Sequence, residues 1–355
     1  MNAPRIAVVI PCYRVQSKIL DVVARIQADV AAIYVVDDAC PLRVGDLVEK
    51  EVRDPRVRVI RRAHNGGVGA ATMTGMAAAA ADGADILVKI DGDGQMDPAL
   101  IPSLVRPLLR AEADYAKGTR FFAPEYLVDM PVVRLLGNSV LSLLAKFSSG
   151  YWNIMDPTNG FIAMHATIFR LLPHAKIAER FFFESDMLFR VNLLRAHVVD
   201  VPIRAHYGGE FSNLRIARVI LPFIWYHLRN AAKRIAYSYF LRDFSVGSLY
   251  LAFGIPAVLF GIIFGAYEWS VSVQTDVVAS AGTVMLAALP LVMGFQLLLS
   301  FLAFDISHVP RLPLHVRLSD SASPALDQNA DAASLGAPAA PDADGTVRQP
   351  SLGDR

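Results

Sequence analysis

The chain has 355 residues, a formal net charge of +1 and a hydrophobic fraction of 54%. The balanced charge gives no sign of the basic surface that nucleic-acid binding requires, so we expect no nucleic-acid partner. Two cysteines, Cys12 and Cys40, exclude a disulfide framework and a cysteine-based zinc site, and they fit a reducing compartment. The apolar run near the N-terminus is too short for a signal peptide and predicts a first strand, so this part is expected in the cytosol.

The first half of the chain alternates short apolar runs with helical patterns. Buried parallel strands are predicted at residues 6–10, 32–38, 57–60 and 85–91, and helices at residues 16–29, 44–52 and 68–81. This order predicts an α/β domain with a mostly parallel sheet, as in Rossmann-like folds. Such sheets bind ligands at the carboxyl ends of their strands, where the polar clusters PCYR, DDAC and DGDGQ fall.

Two long uncharged segments, residues 246–267 and 277–304, follow the α/β region. Each is long enough to cross a hydrocarbon core of about 30 Å. Their connection contains no Lys or Arg, whereas Arg242 and other basic residues precede the pair and Arg311 and Arg317 follow it. The positive-inside rule therefore predicts a membrane hairpin, with both ends in the cytosol. The alternative is a pair of buried helices in a large soluble protein.

The segments flanking this hairpin have contrasting compositions. Residues 214–240 mix aromatic and basic side chains, which favours a helix in the headgroup layer of the membrane, although a surface helix packed on the domain is the alternative. From residue 318 the chain is rich in Ala, Ser, Pro, Gly and Asp, which indicates disorder. The predicted parts are a catalytic domain (1–212), amphipathic helices (213–244), two transmembrane helices (245–305) and a cytosolic, largely disordered tail (306–355).

The stretch KIDGDGQMDP gathers acids directly after a predicted buried strand. Asp91 and Asp93 are two residues apart and could share a cation, which would remove their repulsion, and Gln95 adds a neutral oxygen. Oxygen ligands select a hard ion such as Mg²⁺ or Mn²⁺. Asp97, just before Pro98, fits a helix N-cap. A polar turn without a ligand is the alternative for this cluster.

A second acidic pair, Asp37 and Asp38, ends the second predicted strand. Carboxylates there can accept hydrogen bonds from the N–H of a base or from ribose hydroxyls. The glycines of HNGGVGAATMTG, residues 64–75, could let the backbone approach a phosphate or a sugar. The spacing matches neither GxGxxG nor a P-loop, and a plain loop–helix junction is the alternative.

Isolated basic residues and a third acidic group come next. KGTRF contributes Arg120, and DPTNGF contributes Asp156. Arg134 lies in an otherwise apolar run that also holds Asn138, and an unpaired charge there would be costly, so Arg134 is expected to meet an anion. Glu184 and Asp186 follow in FFFESDML.

Together these motifs resemble family 2 glycosyltransferases of the GT-A fold. The resemblance covers roughly residues 5–215 and rests on VVIPCYR, VVDD, NGGVGAA, DGDGQMDP, KGTRF, DPTNGF and the ESD triplet, in that order. The appended hairpin is similar to that of membrane-anchored polyprenyl-phosphate glycosyltransferases. The resemblance implies inverting transfer from a UDP- or GDP-sugar to undecaprenyl phosphate or another polyprenyl phosphate, at the cytosolic face of the plasma (inner) membrane. It also implies a homo-oligomer.

The resemblance further implies a role for each matching residue. Those expected to line the nucleotide are Pro11, Tyr13, Asp37 and Asp91. The residues expected to bind the metal are Asp93 and Gln95. Those expected to bind the acceptor phosphate are Arg120, Arg134 and Asn138. Those expected to face the sugar are Asp156, Glu184 and Asp186. The sequence departs from the family pattern at Arg14, where Asn is frequent, at Cys40, where Ser is frequent, and at His206 and Tyr207, in a region where mannose synthases tend to carry an Arg.

Two other functions are considered. A membrane glycosyltransferase acting on a hydroxyl acceptor, in polysaccharide or glycolipid synthesis, would need a base, for which Asp186 is the candidate. Against it, the chain has no QxxRW motif and only two predicted spans. A non-enzymatic nucleotide-sugar-binding protein is the third hypothesis, and the intact acidic cluster argues against it.

Overall fold

The computed structural model describes residues 3–122, 132–203 and 216–319. Residues through His315 form one compact unit, and a second unit begins at Val316. His206 and Tyr207, at which the sequence departs from the family pattern, lie outside the described residues. The predicted tail from residue 320 onward also lies outside them.

The predicted alternation of strands and helices is present in the structure. The strands are β1 (Ile6–Cys12), β2 (Ala32–Asp37), β3 (Val57–Arg61), β4 (Ile86–Lys89), β5 (Tyr115–Thr119), β6 (Ile162–His165) and β7 (Val198–Pro202). The helices before the two long apolar segments are α1 (Gln16–Ala24), α2 (Val44–Glu51), α3 (Val68–Ala81), α4 (Ile101–Leu109), α5 (Val132–Ser149), α6 (Ala166–Leu171), α7 (Phe183–Leu193) and α8 (Ile216–Ala236). The last two described helices are α9 (Val246–Thr275) and α10 (Ala281–Ser307).

The strands form one sheet in the order β3-β2-β1-β4-β6-β5-β7. All neighbouring pairs are parallel except those of β6, which runs antiparallel to both β4 and β5. The prediction of a mostly parallel GT-A-like sheet is confirmed. The chain builds outward from β1 to β2 and β3 and then crosses to β4 on the other side of β1. The strand order therefore reverses between β1 and β4, where parallel sheets leave a crevice for ligands.

Alternating side chains of β1 supply two hydrophobic layers, one on each face of the sheet. Ala7 and Val9 contact a layer that includes Met76 of α3. Ile6, Val8 and Ile10 contact the opposite layer, which includes Ile19 of α1. Because successive side chains of a strand point to opposite faces, an uninterrupted apolar run is what a strand covered on both faces requires.

Helices α9 and α10 pack closely against each other. A Cβ on Gly261 would lie 2.8 Å from the carbonyl oxygen of Ala287, and one on Gly294 would lie 2.8 Å from the backbone nitrogen of Val258. Gly261 therefore allows the close contact within the hairpin. Both helices are long and apolar enough to cross a membrane, and little of either apolar stretch is covered by the protein. This exposure does not fit the alternative of buried soluble helices.

Helix α8 docks on the catalytic domain through a buried polar stripe at helical spacing. His227, Asn230 and Arg234 are each at most 2% exposed. The His227 ring shares a 2.7 Å hydrogen bond with the Ser148 hydroxyl of α5, and Asn230 Nδ2 donates to Asp186 Oδ1 at 2.9 Å. The opposite face exposes large apolar side chains, such as Trp225. One face of the helix thus packs on the domain, as expected of a surface helix. The opposite face is apolar and exposed, as expected of a helix in the headgroup layer.

Burial of His227 makes the fold sensitive to acid. Burial lowers the pKa of His227 to about 4, so folding favours the neutral ring. Because an unfolded histidine binds its proton near pH 6.5, this stability is complete above pH 6.5 and is lost as the pH falls toward 4. At pH 5 the loss should be about 2 kcal/mol. Urea unfolding in detergent measures the free energy of unfolding at pH 7 and at pH 5. The drop between the two pH values should be smaller for His227→Phe than for the wild type. Substitution of an exposed histidine, His64→Phe, should leave that drop unchanged.

The chain after α10 returns to the catalytic domain. Asp114, which is fully buried just before β5, accepts hydrogen bonds from the backbone N–H groups of Leu314 at 2.6 Å and His315 at 2.8 Å. Its carboxylate also lies 2.7 Å from His315 Nδ1. The predicted boundary at residue 305/306 falls inside α10, and the first part of the predicted tail, through His315, is ordered on the domain.

Candidate active site

A cavity of about 860 Å³ opens where the strand order reverses. It is lined from β1 and its following loop, from the β4 end, from the α3 entry and from the turn before α7. The lining residues are Pro11, Cys12, Tyr13, Arg14, Val15, Asp38, Asn65, Gly67, Val68, Ala71, Lys89, Asp91, Gly92, Asp93, Arg180, Phe181 and Glu184. Residues of the three polar clusters PCYR, DDAC and DGDGQ thus meet at this edge of the sheet, as predicted.

Asp91 and Asp93 both line the cavity, with Gly92 between them. Asp93 Oδ1 accepts from the Gln95 N–H at 3.0 Å, which closes a tight turn. The side chain of Gln95 is exposed and does not line the cavity, so the structure does not bring this predicted metal ligand to the two carboxylates. Asp97 caps the short 3₁₀ turn Pro98–Leu100, as expected.

The two carboxylates fit a hard divalent ion held largely by its substrate. Within the described ranges, no group of three or more His, Cys, Asp or Glu side chains could hold a metal. Magnesium is commonly bound by one or two carboxylates and by substrate phosphates rather than by a cage of protein ligands. Asp91 and Asp93 both line the crevice, so their carboxylates could supply the oxygens for such a site.

Lys89 and Glu184 form the floor of the cavity. Lys89 is fully buried, and its Nζ lies 2.7 Å from Asp91 Oδ1 and 3.7 Å from Glu184 Oε1. Burial lowers the pKa of Lys89, but Asp91 and Glu184 outweigh this effect, so the pKa lies above its usual value. Gly160 makes room for the ammonium, because a Cβ there would lie 2.2 Å from Nζ. Lys89 therefore stays charged and orients Asp91.

A second buried lysine, Lys117 of β5, interacts electrostatically with Glu184. It donates to the backbone carbonyl of Asn159. Burial lowers the pKa of Lys117 to about 8, with Glu184 opposing that shift. Burial likewise raises the pKa of Glu184, with Lys89 and Lys117 opposing. Lys89, Lys117 and Glu184 thus form a network of interacting charges of both signs.

The acidic pair at the end of β2 shapes the neighbouring loops. Asp37 accepts from the backbone N–H groups of Cys40 at 2.7 Å and Gly45 at 2.8 Å, and it does not line the cavity. Asp38 lines the cavity but binds the Arg62 guanidinium at 2.5 Å and the Gly67 N–H at 2.7 Å. Asp37, predicted to line the nucleotide, is instead placed on backbone amides.

The end of β1 places Pro11, and the loop after it places Tyr13, in the lining, where the nucleotide was predicted. The Tyr13 side chain is 42% exposed and could stack with a base. Arg14 has a φ of 60°, a left-handed conformation that Asn adopts more readily than most residues. Cys40 Sγ accepts from the Arg14 N–H at 3.2 Å and holds the turn.

The glycines of the NGGVG segment serve packing against the turn that precedes α7. A Cβ on Gly69 would lie 2.4 Å from the carbonyl oxygen of Ala178 and 2.7 Å from the Phe183 Cβ. The Ala70 N–H donates to the Glu179 carbonyl at 3.0 Å in the same contact. The described geometry thus favours the loop–helix junction over a phosphate-binding loop.

Gly69→Ala should therefore destabilise the domain by about 1–3 kcal/mol, because the added methyl group overpacks a backbone contact. Thermal unfolding in detergent measures the change. Gly137→Ala is the control: Gly137 lies within α5, and a Cβ there meets nothing within 4 Å. That substitution should stabilise the protein by about 0.5–1 kcal/mol. Equal effects of the two substitutions would contradict the packing role.

Arg120 and Asp156 are paired, although the resemblance assigned them to different substrates. Arg120 Nε lies 2.6 Å from Asp156 Oδ2, and Nη2 lies 3.0 Å from Oδ1. Asp156 is 1% exposed and does not line the described cavity. Arg134 and Asn138 fall on α5, but their side chains lie outside the described residues.

Asp186 is buried at the start of α7 with both oxygens engaged. Oδ2 accepts from the Ala178 N–H at 2.9 Å and from Arg190 Nε at 3.0 Å, and Oδ1 accepts from Asn230. Glu184, two residues earlier, is the acid of this triplet that lines the cavity. The structure therefore brings Glu184, and not Asp186, to the site.

Sequence reasoning missed Lys89 and Arg180, which both line the cavity. Lys89 had a detectable signal, because a lysine inside a buried strand is rare unless it is paired. Arg180 had none, because an arginine in a polar turn is most often a surface residue.

Comparison with known proteins agrees with this geometry. The family described as "Glycosyl transferase family 2" matches residues 7–172. A UDP-N-acetylglucosamine–dolichyl-phosphate N-acetylglucosaminyltransferase of Methanococcus voltae is 32% identical over 174 residues, covering 49% of this chain and 68% of its own. An undecaprenyl-phosphate mannosyltransferase of Micrococcus luteus is 30% identical over 203 residues, covering 56% and 82%.

The chain thus belongs to glycosyltransferase family 2 and is a glycosyltransferase. Among solved structures, glucosyl-3-phosphoglycerate synthase from Mycobacterium tuberculosis in complex with UDP is similar at a TM-score of 0.47 and 22% identity, covering 63% of this chain and 80% of its own. A similarity this distant informs neither the substrate nor the metal of this chain.

Proposed function

We propose that this enzyme transfers a sugar, with inversion, from a nucleotide sugar to a polyprenyl phosphate at the cytosolic face of the plasma membrane. One observation carries the proposal: the acid-lined crevice belongs to the same compact unit as two exposed apolar helices. A donor site for a soluble nucleotide sugar is thereby tethered to a bilayer. The relatives from Methanococcus voltae and Micrococcus luteus, whose names specify lipid-phosphate acceptors, support this acceptor class.

The donor would lie across the crevice, with its nucleotide near Pro11 and Tyr13 and its diphosphate near Asp91 and Asp93. Mg²⁺ or Mn²⁺ at the two carboxylates would neutralise charge that develops on the leaving nucleoside diphosphate. Lys89 holds Asp91 in place from beneath. Glu184, on the cavity floor, is positioned to accept hydrogen bonds from sugar hydroxyls.

The acceptor phosphate needs no strong base. A phosphomonoester has a second pKa near 6, so its oxygen is largely ionised at pH 7 and can attack directly. Arginines suit the binding of such a group, since the guanidinium matches phosphate geometry. Arg120, Arg134 and Asn138 retain this proposed role. A hydroxyl acceptor would instead need a base, and the engaged carboxylate of Asp186 is poorly placed for proton abstraction.

The proposed topology places the catalytic domain and both chain ends in the cytosol. It is supported by the return of the chain after α10, because Leu314 and His315 bind Asp114 of the catalytic domain. An even number of crossings is the simplest way for both flanks of the apolar pair to reach one domain. Self-association stays a prediction from the family resemblance.

The test is incubation of the purified full chain with undecaprenyl phosphate and labelled UDP- and GDP-sugars. A labelled lipid that mild acid releases as free sugar supports the proposal. A labelled polymer or an acid-stable glycolipid would support a hydroxyl acceptor instead. Absence of turnover with every donor would contradict the proposed reaction.

A further inference from the structure

A buried carboxylate joins the second apolar helix to the catalytic domain. Asp305 lies near the end of α10 and is 3% exposed. Its Oδ1 accepts from Arg234 Nη1 at 2.7 Å and from the Tyr239 hydroxyl at 2.7 Å. Its Oδ2 accepts from Arg234 Nη2 at 2.9 Å and from Trp152 Nε1 at 2.8 Å. Four donors thus converge on one carboxylate.

These donors come from three separate parts of the chain. Arg234 belongs to α8, Tyr239 to the π-helical turn Tyr237–Arg242, and Trp152 to the connection between α5 and β6. Arg234 Nη2 also donates to the Phe147 carbonyl of α5 at 2.9 Å. The apolar helix, the amphipathic helix and the catalytic domain therefore share one buried ionic contact, which we call the Asp305 latch.

The catalytic domain makes room for this latch. Gly150 has a φ of 76°, and a Cβ there would lie 2.8 Å from Arg234 Nη1. The Tyr239 ring packs on Phe301 of α10, with a centroid distance of 5.1 Å. A buried ion pair contributes little net stability compared with apolar packing, but it fixes one geometry, and removal of either partner leaves an uncompensated charge.

A second contact holds the hairpin exit independently of Asp305. Arg195 Nη2, from the turn after α7, donates to the His308 carbonyl at 2.7 Å. Leu314 and His315 then bind Asp114. The hairpin is thus not connected by a flexible tether at this end, and its direction relative to the catalytic domain is set by specific contacts.

We propose that Asp305 is a positioning residue, which holds the catalytic cavity at one height and tilt over the bilayer. This inference rests on the proposed lipid-phosphate acceptor. The phosphate of a membrane lipid is confined to the headgroup layer, so the cavity must be aligned with that layer to receive it. A short isoprenyl phosphate in solution can approach from any direction and does not need this alignment.

The test compares undecaprenyl phosphate in vesicles with geranyl phosphate in solution, at saturating nucleotide sugar. Asp305→Asn should lower kcat/KM at least tenfold for the vesicle acceptor, chiefly through KM, and less than twofold for geranyl phosphate. Trp152→Phe keeps an aromatic side chain and removes the indole N–H donor, so a smaller loss with the same acceptor preference is expected. Asp243→Asn is the matched control, because Asp243 lies near the latch with its side chain 71% exposed. It should change neither value.

The outcomes separate the latch from the proposed function. Equal losses with both acceptors, or no loss with either, would overturn the latch. If wild-type protein glycosylates neither lipid phosphate, the proposed function fails, and the latch is tested without activity. For that purpose a dye on E51C, which occupies an exposed site, reports energy transfer to a labelled lipid. Asp305→Asn should change the transfer efficiency, and an unchanged efficiency would contradict the latch.

Discussion

Asp93→Asn is expected to slow sugar transfer by about 10²–10³-fold, the cost of removing one preorganised electrostatic contact to a leaving group. Asp93 lines the crevice beside Asp91, where few protein oxygens are available for a divalent ion. Loss of one carboxylate charge should weaken ion binding and raise the concentration of Mn²⁺ or Mg²⁺ needed for half-maximal rate. Initial rates across a range of metal concentrations measure both the transfer rate and the metal requirement. A sample with chelator gives the rate without metal.

Asp97→Asn is the matched control, with the same substitution four residues away. Asp97 caps the turn Pro98–Leu100 and binds Arg25 at 2.5 Å, and it does not line the cavity. Its rate and metal requirement should stay within twofold of the wild type, with a stability loss of about 1 kcal/mol or less. If Asp97→Asn were as slow as Asp93→Asn, the acidic motif would act through folding and not through a metal.

Breaking the Arg120–Asp156 pair is expected to have the largest effect on stability. Arg120→Met should lower the free energy of unfolding by about 3–5 kcal/mol, because it leaves the buried carboxylate without its cation. Asp156→Leu should cost a similar amount. The double substitution should cost less than the sum of the two by at least about 1 kcal/mol, since the pair is removed together. Urea unfolding in detergent of the wild type, the two single variants and the double variant gives the double-mutant cycle.

The substitutions Arg110→Met and Glu112→Leu, singly and together, provide the surface comparison. Arg110 lies 4.0 Å from Glu112, and both side chains are more than half exposed. Such a pair contributes at most about 1 kcal/mol. A coupling between Arg120 and Asp156 that is no larger than the coupling at this surface pair would mean that Arg120 acts alone. Its proposed role at the acceptor phosphate would then not depend on Asp156.

Several elements follow directly from local sequence patterns. Strands β1 to β4 begin and end within two residues of their predicted positions, because uninterrupted apolar runs are required where a strand is covered on both faces. The apolar helices α9 and α10 were likewise recognised, though each continues beyond the predicted segment. Strands β5 to β7 were not predicted. They are short, and β5 contains Lys117, whose burial depends on partners elsewhere in the chain.

The sequence by itself determined the class of chemistry and predicted the attachment to a bilayer. Acids after buried strands and long uncharged segments are local patterns, and their physical cause lies within a few residues. Only the tertiary structure decided which charges meet. It placed Asp37 on backbone amides, paired Arg120 with Asp156, and brought Asp305 to Arg234. The residues of the two ion pairs are 36 and 71 positions apart, so their contact depends on how the sheet and helices pack, and no local pattern records it.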